Sequence, residues 1–190
     1  MKKFLFLTLM LIAVAVSAQK KQKPNINKAL KALQDGNIAE AKQTIDDATT
    51  YEKTMDDGKT WYYRGLIYAA IDTTSNSAVK ALADDPFKTA MESFAKADQM
   101  AKAGSEYFTT DPTNVIPVTK TQQIAQLANY YLNRGAALYE RDSLEEAMKN
   151  FEKTQVVLPD DTIAYFYGGI VANSMEDYDK AIANMEKYIE

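Results

Sequence analysis

The feature that most constrains this chain is a repeat. Tyr131, Gly135, Leu138, Ala147 and Phe151 recur, each 34 residues on, as Tyr165, Gly169, Ala172, Ala181 and Met185. A fixed period of this size marks stacked supersecondary units, none of which buries its apolar face alone. Within a unit, Tyr131, Gly135 and Leu138 stand at i, i+4 and i+7, one face of a helix. Ala147, Phe151 and Thr154 do the same for a second helix. The polar break Glu140–Arg141–Asp142–Ser143 parts the two, and Ser143 with Glu146 has the spacing of a capping box. Each unit is therefore a helical hairpin. Gly135 and Ala147 are small enough for the helices to approach, while Tyr131 and Phe151 fill the space beside them. Pro159 ends the second helix, and Asp160–Asp161–Thr162 can cap the next.

The pattern resembles the tetratricopeptide (TPR) repeat, W-x2-L-G-x2-Y followed by Ala, Phe and Pro. It is read here as Tyr131, Arg134–Gly135, Leu138, Ala147, Phe151 and Pro159. The departures are Arg134 for Leu and Thr154 for Ala. The resemblance implies an all-α, right-handed α-solenoid of stacked helical hairpins, here with two inserted loops. It also implies a concave groove lined by the first helix of each hairpin. Its candidate residues are Tyr62, Leu66, Asn129, Leu132, Asn133, Ala136, Tyr139, Phe166, Ile170 and Asn173. Relatives that clamp the carboxylate tail of chaperones use Lys, Asn and Arg at these positions. Tyr62, Leu132 and Phe166 stand where the first Lys is wanted, so that clamp is not expected.

Outside the regular units the chain reads in segments. Lys2–Lys3, the apolar run Phe4 to Val16 and the small residues Val16–Ser17–Ala18 have the form of a signal peptide over residues 1–18. Cleavage between Ala18 and Gln19, export, and a periplasmic or secreted protein with no transmembrane segment in its mature form are the expectation. Residues 19–104 hold two hairpins. Asn25 caps a helix with Ile26, Ala29, Leu30 and Leu33 on one face, and Asn37 starts its partner with Ile38, Ala41, Ile45 and Ala48 inward. This first unit lacks the aromatic and the Gly, as terminal units often do. Trp61, Gly65 and Tyr68 open the second, whose other helix begins at Asp85–Pro86. Ala90 lies 29 residues beyond Trp61, whereas Ala147 lies 16 beyond Tyr131, so a loop is inserted across 72–85. Gly104 stops the helix, and residues 105–122 form a second inserted loop. With Tyr107, Phe108, Val115 and Ile116 it is too apolar to hang in water, and packing over the groove would make it an occupant of its own protein. Thr119 with Gln122 caps a lengthened helix that reaches Tyr131. Residues 123–190 are two regular units. Met185, Tyr188 and Ile189 form an apolar stripe, so either the array is truncated there or the open C-terminal helix meets a partner.

Chemistry is scarce. The chain has no Cys and no His, which removes thiolate and imidazole catalysis, the common zinc sites and any disulfide. A formal net charge of −4 supplies no basic patch for phosphates, so nucleic acid is not expected. The doublets Asp46–Asp47, Asp56–Asp57, Asp84–Asp85, Glu145–Glu146 and Asp160–Asp161 read as caps and solvated turns, all but Asp46–Asp47 and Glu145–Glu146 falling in a connection. There is no D-x-D-x-D-G loop and no phosphate loop among only 7 Gly. No enzyme, cofactor or metal is expected. What remains is a surface that binds a protein or an extended peptide through apolar and amide contacts. The alternative is an envelope glycan stacked on Trp61, Tyr62, Tyr63 and Tyr139.

Overall fold

The structure, a computed structural model, describes residues 23–103, 105–110 and 116–190. The segment read as a signal peptide, the cleavage pair Ala18 and Gln19, and Gly104 lie outside the described residues. Among the described residues, four helical hairpins follow one another. They are α1 (Ile26–Gln34) with α2 (Ile38–Thr49), α3 (Gly58–Thr73) with α5 (Pro86–Met100), α6 (Lys120–Tyr139) with α7 (Leu144–Val157), and α8 (Thr162–Ser174) with α9 (Tyr178–Ile189). One short helix, α4 (Ser77–Lys80), sits in the first insertion. Because α2 packs on α3 and α7 on α8, the hairpins stack into a solenoid.

Most helices start where a side chain accepts an orphan N–H. Asn25, Asn37, Asp57, Asp85, Asp161 and Asp177 do so. Thr119 and Gln122 form the complete capping box. Ser143 departs from expectation: it makes no cap bond, so the box with Glu146 is not formed. The turn is fixed from the other side. Asp142 takes the left-handed conformation (φ 59°), and the Ser143 N–H donates to the Leu138 carbonyl at 3.0 Å. Glu176 (φ 61°) and Gly36 (φ 79°) turn two other hairpins in the same way.

The hairpins close by setting a large side chain against a glycine. A Cβ on Gly65 would lie 2.4 Å from the Phe94 ring, one on Gly135 2.8 Å from Phe151, and one on Gly169 2.6 Å from Met185. The close partner of Gly135 is thus the ring of Phe151, not Ala147 as residue size alone suggests. Buried side chains form one core through the first two hairpins and another through the last two. A small cluster of Ala128, Tyr131 and Val157, packed by Phe87 and Met91, joins the halves.

The second insertion is not shapeless. β1 (Phe108–Thr110) pairs antiparallel with β2 (Pro117–Thr119), from Phe108↔Thr119 to Thr110↔Pro117. Tyr107 anchors this ribbon: its ring stacks on Tyr62 at 5.5 Å and its hydroxyl donates to the Ala97 carbonyl at 3.3 Å.

Candidate functional site

Two helical stripes face each other across a cavity of about 560 Å³. Leu66, Ala69, Ala70 and Thr73 stand at i, i+3, i+4 and i+7 on α3, and Gln123, Gln126, Leu127 and Tyr130 at the same spacing on α6. Leu30, Leu33 and Gln34 of α1 close one end, and Thr109 and Thr110 of β1 form a wall. Large apolar contributions from three helices with a few amides at the edge make a groove suited to an extended chain. Some of the polar groups are committed. Gln123 accepts from the Tyr62 hydroxyl and donates to Thr109 Oγ1, both at 2.7 Å. The Tyr130 hydroxyl donates to the Thr73 carbonyl at 2.8 Å. Gln34 and Gln126 are exposed at the edge, where their amides can meet a bound backbone.

Burial pushes the Tyr62 phenol well above its ordinary range, so it remains a neutral donor. Beside the groove, the Asp72 carboxylate is bonded by the Tyr131 hydroxyl and paired with Lys153 Nζ at 2.6 Å. Burial, reinforced by this carboxylate, holds the Tyr131 phenol protonated as well.

The candidate residues do not gather in one place. Leu66 lines the groove. Tyr62 does not: it is 0% exposed, enclosed by Tyr63, Phe94 and the Tyr107 of the inserted ribbon. Asn129 and Asn133 are exposed on α6 and Ala136 is half-buried, and none of these borders the groove. Leu132 packs into the core of the last two hairpins. Tyr139, Ile170 and Asn173 do come together, but at the far end, where with Ile182, Met185 and Ile189 they line a cavity of about 580 Å³. Phe166 is 37% exposed and its ring lies 5.1 Å from that of Tyr188. The stacking platform for a glycan is also spoken for. Lys96 Nζ covers the Trp61 ring at 3.6 Å, and Tyr63 is buried. Besides the groove residues of α1, β1 and the rest of the α3 stripe, the residues missed were Gln123, Gln126, Leu127 and Tyr130 of the α6 extension. Their helical spacing was readable, but they precede the first residue of the repeat.

Among the described residues, no group of three or more acidic side chains is placed to hold a metal ion, and no helix is long and apolar enough to cross a membrane. No protein-family model matches the sequence, and no curated protein matches it. Solved structures do. The chain is similar to "Crystal structure of MamA" at 15% identity over 87% of this chain and 77% of that one, TM-score 0.33. It is similar to "MamA RS-1 ArsTM double mutant" at 18% identity over 86% and 70%, TM-score 0.32. It is likewise similar to "Crystal structure of YrrB: a TPR protein with an unusual peptide-binding site" at 18% over 86% and 82%, TM-score 0.32. The fold is a TPR-like solenoid. Its own hairpins, with Gly65, Gly135 and Gly169 under the large residue of the second helix, carry that statement.

Proposed function

We propose that the chain is an interaction scaffold that receives an extended protein segment in the groove between α1, α3 and α6, and performs no chemistry on it. The observation that carries this reading is the pair of facing stripes, Leu66–Thr73 and Gln123–Tyr130, left apart by 560 Å³ of open space. Leu30, Leu66 and Leu127 would hold apolar side chains of the segment, and the amides of Gln34 and Gln126 its backbone. In the same reading the protein is exported, residues 1–18 being removed between Ala18 and Gln19, so that its partner is met in the periplasm or outside the cell.

The test is selection of peptides from a random displayed library, followed by anisotropy titrations. Leu66→Asp and Leu127→Asp place a carboxylate where an apolar side chain must be buried, and should weaken the selected peptides at least about tenfold. Circular dichroism establishes that each variant is folded. Peptides that bind both variants as tightly as the parent sit elsewhere, and the groove reading is then wrong.

A further inference from the structure

On the far side of Tyr130 from the groove lies a second cavity, of about 380 Å³, between the first insertion and the third hairpin. Its floor is already neutral, because Asp72 is paired with Lys153. Its walls carry Lys80, Arg134 and Lys149, and none of these is within ion-pair distance of a carboxylate among the described residues. Asp84 and Glu146 also border it, so four cations stand against three carboxylates. In a chain with a net charge of −4 this is a local reversal of sign.

Arg134 decides what the cavity is for, because the chain contains its own control. Arg64 holds the same place in the second hairpin, 70 residues earlier, as Trp61 does for Tyr131 and Gly65 for Gly135. Arg64 is fully employed: it donates to Asp46 at 3.1 Å and to Ser93 at 3.0 Å, and lies 4.6 Å from the Tyr68 ring centre. The positions that match Asp46 and Ser93 around Arg134 are Ala95 and Asn150. Alanine offers no acceptor, and the Asn150 amide donates to the Glu146 carbonyl at 2.7 Å. Arg134 is left with the Tyr130 hydroxyl at 3.4 Å. A guanidinium has five donors in a planar fork that matches a carboxylate. The repeat has kept the cation and lost its anion.

We propose that this cavity is a carboxylate subsite for the ligand of the groove, with Arg134 bonding the carboxylate in two-pronged fashion and Lys149 and Lys80 flanking it. The proposal rests on the groove reading, because Tyr130 borders both cavities and Arg134 is one helical turn further along α6. A segment leaving the groove past Tyr130 would present an acidic side chain or a chain terminus to Arg134. The overall negative charge of the protein disfavours acidic ligands at long range, so the subsite contributes selectivity at contact, not steering.

The chain has three arginines, at 64, 134 and 141, so its arginine Nε–Hε resonances form a small and readable set. The labelled full chain is titrated with succinate, against sodium chloride at matched ionic strength. The Arg134 resonance should shift saturably, while those of Arg64 and the exposed Arg141 follow the salt control. Lys149→Gln should weaken succinate at least about threefold as read at Arg134. In a second arm, groove-selected peptides are compared as Glu and Gln versions. The parent should prefer Glu at least about fivefold, and Arg134→Gln should erase that preference by weakening the Glu version more than the Gln version. Equal, unsaturated shifts at all three arginines would overturn the subsite, as would peptides indifferent both to Glu→Gln and to Arg134→Gln, with the groove reading left standing. Saturation at Arg134 with no peptide bound by the groove would instead leave an anion site for a free carboxylic acid and remove the groove reading.

Discussion

Replacing Asp72 by Ala should loosen the joint between the two halves of the solenoid. Asp72 lies in the last turn of α3, and its two partners, Tyr131 and Lys153, belong to the third hairpin. The Asp72 side chain is 11% exposed, that of Lys153 30%. Removal leaves the Tyr131 hydroxyl without its acceptor in a buried site, which costs about 2 kcal/mol. Lys153 can turn towards water, so its lost pairing adds only about 1 kcal/mol. A total of about 3 kcal/mol in a chain of this size lowers Tm by roughly 6–12 °C. The loss falls on an interface that otherwise rests on a small cluster and on the Tyr130–Thr73, Tyr62–Gln123 and Lys120–Asp98 bonds. In a solenoid, stability is a sum of unit and interface terms, so weakening one interface lets the halves melt apart. Trp61 is the one tryptophan, and it reports the second hairpin, while far-ultraviolet dichroism reports all helices. In urea the two signals should coincide for the parent and separate for Asp72→Ala. Coincident transitions with Tm lowered by less than about 2 °C would refute the view of Asp72 as the joint.

Further outcomes follow from the same packing. Burial raises the Tyr62 and Tyr131 phenols above the ordinary 10.0, so their contribution is complete below pH 10 and is lost as pH rises through the raised values. Spectrophotometric titration of the 12 tyrosines should therefore show a late group that ionises only as helicity falls, and uniform ionisation near pH 10 in a folded chain would contradict the burial. Gly58→Ala puts a Cβ 1.8 Å from the Tyr107 hydroxyl and should cost about 1–3 kcal/mol. It should also raise amide exchange over residues 105–110, and a further Tyr107→Ala should then add little. Met148 and Ile182 stand one period apart but are 3% and 58% exposed, so Met148→Lys should cost about 3 kcal/mol or more and Ile182→Lys under about 0.5. Comparable losses in urea melts would mean that the face of α9 is covered.

The solenoid was legible because its constraint is steric and local. A glycine that must lie under Phe94, Phe151 or Met185 leaves a fixed spacing in the chain, and so does the alanine beside it. Caps read well for the same reason, with Ser143 the exception because Asp142 had taken over the turn. The site was far less legible. Tyr62 falls on a groove position by register, but Tyr107 arrives from an insertion that no repeat contains and buries it. Each strand of the ribbon has three residues, too few for an alternating pattern to show. Arg134 looked like a mild departure from the repeat. Only the comparison with Arg64, whose partners are visible in space, shows that it lacks an anion.

Both insertions end up as walls. The ribbon of β1 and β2 supplies Thr109 and Thr110 to the groove, and the helix it launches supplies Gln123 to Tyr130. The 72–85 insertion supplies Lys80 and Asp84 to the cavity behind Tyr130. In a regular stack, side chains along the first helices pack against the next hairpin and leave little that is specific to one chain. Here inserted residues line the joint between the second and third hairpins, and both cavities open there. The regular units fix the packing of the two helices within each hairpin through their glycine contacts, while the irregular segments decide what fits between α3 and α6. In the proposed reading, selectivity therefore resides in the residues that break the period, and a ligand that bridges α3 and α6 would tighten the same joint that Asp72 closes.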